Sequence, residues 1–254
     1  MRAVITGAAT GIGAAAVAKL KARGYEITAF DIREPEDVDL WVKVDMADPA
    51  AIETAAARVD GPFDCLINNA GLPPREGLSG SILAVNFLGL VKLTHCLEPK
   101  LANGAAIVNT ASRAGAGWRE NIEQVKRLFA VETVDDLGRF IADERIGHVA
   151  AYNLSKEAVI AWGVANTERL IARGLRVNSV SPAAVSTGIL DDFATAFGDR
   201  MARNVARVGR PGTPAEVADL ILFLASEQSS WLKGNDLTID GGMSALAACD
   251  QLGL

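Results

Sequence analysis

The chain has 254 residues, of which 50% are hydrophobic and 22% charged, with a formal net charge of −6. This composition supports one packed α/β domain, argues against disorder, and excludes the basic footprint of a nucleic-acid binder. Its cysteines, Cys65, Cys96 and Cys249, are odd in number and form no CxxC pair, which excludes a disulfide framework or a zinc site and suits a reducing cytoplasm.

Taken in chain order, the pattern alternates short apolar runs with helical stretches. Ala3–Thr6 reads as a strand, and Ile12–Arg23 as a helix closed by Gly24. The uncharged run from Ala3 to Ala18 resembles an export signal, but Gly7, Gly11 and Gly13 interrupt it, and no other run has the apolar length of a membrane span. Strands follow at Glu26–Asp31 and Trp41–Asp45, then a helix over Pro49–Val59 and a strand over Cys65–Asn68. A long helix is expected from Ser81 to Leu101, a strand over Ala106–Thr110, a second long helix over Ala150–Ala172 and a strand over Arg176–Ser181. Pro214–Ala225 reads as a helix, and Leu237–Ile239 as the last strand before Asp240, Gly241 and Gly242. Alternating strands and helices predict a single doubly wound domain, with about seven parallel strands and helices on both faces.

Two pieces break the alternation. Trp118–Gly147 carries apolar residues at helical spacing (Val125, Leu128, Phe129, Leu137, Phe140, Ile141), which predicts two short helices. In Gly188–Arg210, the residues Ile189, Leu190, Phe193, Phe197 and Met201 predict an apolar helical face over a site, and Arg200, Arg203, Arg207 and Arg210 read as a solvated face.

The first turn, Thr6-Gly7-Ala8-Ala9-Thr10-Gly11-Ile12-Gly13, lies between a strand and a helix. Glycines there let a pyrophosphate approach the backbone, and the helix N-terminus offers free N–H groups, so Gly7, Thr10, Gly11, Ile12 and Gly13 are expected to bind a dinucleotide. Asp31 ends the second strand 18 residues past Gly13, placed to accept from the adenosine ribose hydroxyls and to repel the extra phosphate of NADP. Ile32 and Arg33 adjoin it, and Arg33 partly offsets the repulsion; NAD is favoured over NADP. Asp45, followed by Met46, reads either as an acceptor for the adenine amino group or as a helix cap near Asp48 and Pro49. Asn69, Ala70 and Gly71 end the fourth strand, where such sheets bind ligands.

Tyr152 and Lys156 lie four apart on a helix and share one face. An ammonium beside a phenol stabilises the phenolate and makes the pair a proton donor and acceptor for an alcohol/ketone couple. His95 and His148 have no metal-ligand spacing, so no metal is expected.

These pieces, with Asn86, Ser112, Pro182…Thr187 and Asp240-Gly241-Gly242, stand in the order of the short-chain dehydrogenase/reductase family, which the chain resembles over essentially its whole length. The resemblance implies a Rossmann-type fold and the following roles. Tyr152 is the general acid for reduction and the base for oxidation. Lys156 lowers the Tyr152 pKa and binds the nicotinamide ribose. Ser112 hydrogen-bonds the substrate oxygen, and Asn86 holds a water that relays protons from Lys156. Pro182, Val185 and Thr187 lie at the nicotinamide, with Val185 and Thr187 on its carboxamide. The implied substrate is a small-molecule alcohol or ketone.

The chain departs from the family in two places. Ala183 replaces the usual glycine after Pro182, and Ser112 and Tyr152 stand 40 residues apart, further than is usual. The extra segment, Trp118–Gly147, looks most like that of the 3α-hydroxysteroid dehydrogenase/carbonyl reductase branch, where an insertion here blocks one subunit contact. That implies a homodimer, with a homotetramer as the alternative, and the apolar lid suits a bulky apolar substrate. The competing reading is a catalytically silent dinucleotide-binding sensor, which would have no need of Ser112, Tyr152, Lys156 and Asn86 together.

Overall fold

The computed structural model describes residues 1–254 apart from the side chain of Arg200. Seven strands form one parallel sheet: β1 (Arg2–Thr6), β2 (Glu26–Asp31), β3 (Leu40–Lys43), β4 (Phe63–Asn68), β5 (Leu101–Thr110), β6 (Arg176–Pro182) and β7 (Asp236–Ile239). Their order is β3-β2-β1-β4-β5-β6-β7. The chain winds outward from β1 to β3, then returns and winds the other way from β4 to β7. The reversal opens a crevice between the carboxyl ends of β1 and β4, the place where such sheets take ligands.

Successive strand residues feed opposite faces. Val4, Leu66 and Ile107 pack into the core beneath α2 (Pro49–Ala57), α3 (Ser79–Leu83), α4 (Leu90–Leu97) and α7 (His148–Ala172). Ile5, Cys65, Ile67 and Val108 pack into the second core, beneath α1 (Gly11–Ala22) and α9 (Pro214–Ala225). Both faces of the central strands are therefore buried, which explains their near-continuous apolar runs.

The expected long helix is interrupted. Between α3 and α4 the backbone makes a π-turn, Ala84–Gly89, and after α4 a short 3-10 turn, Glu98–Lys100, ends it. Pro99 cannot continue the helix, and Leu101 belongs to β5, where it pairs with Phe63. The stretch Ser79–Lys100 is long and apolar enough to cross a membrane by composition, and half of its most apolar window is buried inside the fold.

The insertion forms the two expected helices, α5 (Ile122–Phe129) and α6 (Val134–Asp143). Thr133 and Asp136 cap α6 reciprocally. Val125 and Leu128 are buried against the core, and Phe129 stacks on Phe87 of the π-turn at 5.3 Å. The lid is α8 (Leu190–Val208), broken at Gly198, whose φ of 51° lies in the left-handed region. A last helix, α10 (Met243–Leu252), was not expected from the sequence. Asp240 starts it by accepting from the Gly242 and Ser244 amides at 2.9 and 2.7 Å.

Candidate functional site

The turns after β1 and β4 are tied together by side chains. The Thr6 hydroxyl accepts from the Asn69 and Ala70 amides, both at 2.9 Å, and Asn69 Nδ2 donates to the Gly7 carbonyl at 3.0 Å. Gly7 has φ +65°, and a Cβ there would lie 2.7 Å from Ala70 Cα, so only glycine fits. Above this junction α1 begins with no side-chain cap at Thr10 and no acidic residue in its first turn. By contrast, α2, α6 and α9 are capped by Asp48, Thr133 and Thr213. The N-terminus of α1 thus keeps free N–H groups and a positive dipole end facing the cleft.

That cleft, of about 1020 Å³, is lined by Gly7, Thr10, Gly11, Ile12, Asp31, Ile32, Arg33, Asp45, Met46, Asn69, Ala70, Gly71, Ser112, Tyr152, Lys156, Pro182, Val185 and Thr187. The structure therefore brings together all but two of the cofactor-binding and catalytic candidates the sequence singles out. Gly13 stands behind the wall: a Cβ on it would lie 1.9 Å from the Gly7 carbonyl oxygen, so this glycine lets α1 sit down on the β1 turn. Asn86 is also off the wall, and its amide is engaged elsewhere. Its Oδ1 accepts from the Leu72 amide at 2.7 Å, and its Nδ2 donates to the Leu72 carbonyl at 3.1 Å and to Ser155 Oγ at 3.2 Å. Only Gly71 separates it from the site, since a Cβ there would meet Asn86 Oδ1 at 3.3 Å and Lys156 Nζ at 3.6 Å.

At the β2 end, Asp31 Oδ2 accepts from the Ala9 amide at 2.9 Å and Oδ1 from the Arg33 amide at 3.0 Å. These bonds aim the carboxylate along the cleft and leave each oxygen a further lone pair. Ile32 beside it is 58% exposed, an apolar surface held open to the cleft. Arg33 Nη2 reaches the Thr10 hydroxyl at 3.4 Å. Asp45 does not cap α2: it accepts from the Ala47 amide at 2.9 Å, while Asp48 accepts from Ala50 and Ala51.

At the other end α7 carries Tyr152, Asn153 and Lys156 on its cleft side. Lys156 Nζ donates to the Thr110 carbonyl at 2.8 Å, at the carboxyl end of β5. Ser112 Oγ accepts from the Ala114 amide at 3.1 Å. Gly115 allows this turn to pack on α7, because a Cβ there would lie 2.7 Å from the Lys156 carbonyl. Burial pushes the Tyr152 phenol up to about 12, and a hydrogen bond to Ser112 pulls the other way. Burial also pulls the Lys156 ammonium down to about 8. The ammonium sits 5.9 Å from the phenol ring centroid and is bonded to Thr110.

The lid covers this end. Phe193 meets the Tyr152 ring edge-on at 5.2 Å and Phe197 at 6.5 Å, the two phenylalanines lying parallel within 6°. Ile189 and Met201 line the cleft as expected, whereas Leu190 does not. Arg75, after β4, forks onto Asp192 of the lid at 2.7 and 2.8 Å, a span across the mouth that sequence reasoning missed. Of the arginines beyond it, Arg207 pairs with Asp250 and Arg210 with Glu216, while the Arg200 side chain lies outside the described residues. Met243 of α10 also reaches the wall.

Residues 1–122 match the family model described as short chain dehydrogenase, and residues 137–244 match one described as Enoyl-(Acyl carrier protein) reductase. Coniferyl-alcohol dehydrogenase of Pseudomonas sp. (strain HR199 / DSM 7063) is 30% identical, over 95% of this chain and 96% of its own. The 3-alpha-hydroxysteroid dehydrogenase/carbonyl reductase of Comamonas testosteroni is also 30% identical, over 96% of both chains. Among solved structures, the 3-alpha-hydroxysteroid dehydrogenase from Pseudomonas sp. B-0831 complexed with NADH superposes with a TM-score of 0.82 at 32% identity, over 97% of this chain and 98% of that one.

Proposed function

The chain belongs to the short-chain dehydrogenase/reductase family, and we propose that it is an NAD-dependent oxidoreductase interconverting a bulky, apolar secondary alcohol and its ketone, such as a 3α-hydroxysteroid. The observation that carries this reading is the convergence of Ser112, Tyr152 and Lys156 on one wall of a cleft whose far end carries the Asp31 carboxylate.

The residues fit a dinucleotide. The uncapped start of α1 suits a pyrophosphate, Gly7 and Gly11 leave room where side chains would intrude, and the spare lone pairs of Asp31 suit ribose hydroxyls. A carboxylate there disfavours an added phosphate, which supports NAD over NADP. When bound, the nicotinamide supplies or accepts the hydride.

The chain's own residues handle the proton. Tyr152, neutral with a pKa of about 12, donates its phenolic proton to the ketone oxygen in reduction and recovers it in oxidation. Ser112 orients that oxygen. The Lys156 ammonium stabilises the phenolate left behind. It uses one of its three N–H donors on Thr110, which leaves two for ribose hydroxyls. Phe193, Phe197, Ile189 and Met201 exclude water and favour an apolar substrate body. The same reading includes a homodimer, because α5 packs against α7 from within the chain.

The test is absorbance at 340 nm with NAD and then NADP, against secondary alcohols that include 3α-hydroxysteroids. Turnover of bulky apolar alcohols with NAD is the expected result. Clear NAD binding without turnover of any alcohol would overturn the reading.

A further inference from the structure

We propose that Asn153 is a specificity-determining residue, and that the substrate carries a second hydrogen-bonding group (a hydroxyl, carbonyl or amide) close to the reacting carbon. This inference rests on the alcohol/ketone reading above and narrows it away from 3α-hydroxysteroids that bear no polar group beside the reacting carbon.

Four buried side-chain polar atoms lack a hydrogen-bond partner among the described residues: Asn68 Oδ1, Asn109 Nδ2, Arg176 Nε and Asn153 Oδ1. The first three belong to groups otherwise engaged away from the cleft. Asn68 Nδ2 donates to Asn109 Oδ1 and to Thr94 Oγ1, both at 2.9 Å, and the Arg176 guanidinium donates to backbone carbonyls. Asn153 alone of the four lines the cleft.

Its position is informative. Asn153 follows Tyr152 and precedes Glu157 by four residues, so it shares the Glu157 face of α7. That face meets the turn after β5, where a Cβ on Gly117 would lie 3.4 Å from Glu157 Oε1. Ala116 and Gly117 of this turn line the cleft beside it. Three neighbouring polar groups at this end already have partners, whereas Ser81 and Asn204 also line the cleft. Arg75 is held by Asp192, Ser112 accepts from Ala114, and Arg113 donates to Ser244 Oγ at 3.1 Å. Leu72, Val85, Phe193 and Phe197 make much of the wall apolar.

A side-chain carbonyl shut away from solvent without a partner is unfavourable unless the carboxamide turns to meet a ligand that supplies one. No hydrogen bond to Oδ1 fixes the orientation of the carboxamide, and the last torsion of asparagine has broad wells. The group can therefore present its oxygen to a donor or its NH2 to an acceptor. A ligand with a matching group gains a bond that its plain analogue forfeits, and sites of this kind discriminate strongly against the analogue.

The experiment compares cyclohexanol with cyclohexane-1,2-, 1,3- and 1,4-diols, using NAD and absorbance at 340 nm, in the wild type and Asn153→Leu. The thermal midpoint of both proteins is measured alongside. At least one diol should exceed cyclohexanol in kcat/KM by about tenfold or more in the wild type, with the ratio falling toward one in Asn153→Leu. The leucine variant should melt no lower than the wild type, because an unpartnered amide has been removed from an apolar wall. Wild-type turnover with every diol ratio near one would overturn the inference and leave the alcohol/ketone reading intact. A fall of several degrees in the Asn153→Leu midpoint would also overturn it, by making Asn153 structural. No turnover of any alcohol in this set or in the wider panel, with NAD bound, would remove the underlying reading and the inference with it.

Discussion

Two buried cations without a carboxylate partner stand at opposite ends of the same pair of strands. Arg176 opens β6 at the level of Ala106, and Lys156 reaches Thr110, at the level of Val180. Both have been dehydrated, and burial lowers the pKa of each. Their surroundings differ. Arg176 spreads its fork over the carbonyls of Gly104, Ala225 and Ser226, tying β5 and the end of α9 to β6. Lys156 has a single carbonyl and two donors left over. A guanidinium held by three backbone groups cannot leave and does not titrate, so it staples the sheet. An ammonium with spare donors at the open end of a cleft, its pKa pulled down to about 8, is poised for ligand and proton chemistry. The lesson is that burial of charge alone identifies neither role; what separates them is where the unfilled donors point, since Arg176 Nε is shut inside the protein while Lys156 lines the cleft.

The sharpest way to break this comparison is through rate. If the carboxyl end is the reactive one, Tyr152→Phe removes the transferable proton while keeping a ring against Phe193 and Phe197. The kcat should fall about a thousandfold, with NAD affinity changed by less than about twofold, the magnitude of a lost contact outside the cofactor site. Single-turnover rates at 340 nm and a fluorescence titration with NAD check both parts. A residual rate within tenfold of the wild type would show that the proton comes from elsewhere.

Stability should split the two cations in opposite directions. Arg176→Met strands three carbonyls and should cost about 3 kcal/mol in urea unfolding. Lys156→Met replaces a dehydrated ammonium by a thioether of similar reach. The drop of its pKa from 10.5 to about 8 corresponds to roughly 3 kcal/mol gained at pH 7. The sign follows from proton counts. Below pH 8 both folded and unfolded chains hold the lysine proton, and the full penalty of burying it is present. Between about 8 and 10.5 the folded chain has released a proton that the unfolded chain keeps, so wild-type stability rises there relative to Lys156→Met. The advantage of the variant should therefore be constant below pH 8 and shrink above it. A destabilised Lys156→Met would mean that Lys156 is a staple like Arg176.

Much of this asymmetry was legible in the sequence. The glycine turn between Thr6 and Ile12, the carboxylate ending β2 and the Tyr152/Lys156 pair all announce themselves, because turn chemistry and helical spacing are local properties. What was missed depends on contacts that spacing alone does not show. Gly13 belongs to the fingerprint by spacing, yet its missing side chain serves packing against Gly7. Asn86 matches the family position, yet its amide is bonded to Leu72, a partner 14 residues away. The boundary between α4 and β5 moved because Leu101 finds Phe63 across the sheet. α10 escaped notice because its start relies on Asp240 reaching forward, although Met243, Leu246 and Ala247 carried the helical spacing that would have revealed it. The raised Tyr152 pKa needs three-dimensional burial to appear at all.

The carboxylates repeat the comparison with reversed charge, and they give the smallest predicted effect. Asp39, at the amino end of β3, is closed by Lys21 at 2.9 Å and by the Ile27 amide at 2.7 Å, and the lysine holds its carboxyl below the usual range. Asp31, at the carboxyl end of β2, takes only the backbone amides of Ala9 and Arg33 and keeps lone pairs facing the cleft. Asp31→Ala should weaken NAD by about tenfold, the worth of one charge-assisted hydrogen bond. It should also bring NADP near parity, because the carboxylate that repels a phosphate is gone while Arg33 remains beside Thr10. Asp39→Ala should leave the ratio of NAD to NADP affinity where it was, although it too removes one carboxylate from the same side of the sheet. If both substitutions shift the ratio equally, the preference arises from the overall negative field of the chain. If only Asp31→Ala does, the unfilled acceptor at the open end of β2 sets it, just as the unfilled donors of Lys156 set the chemistry at the end of β5.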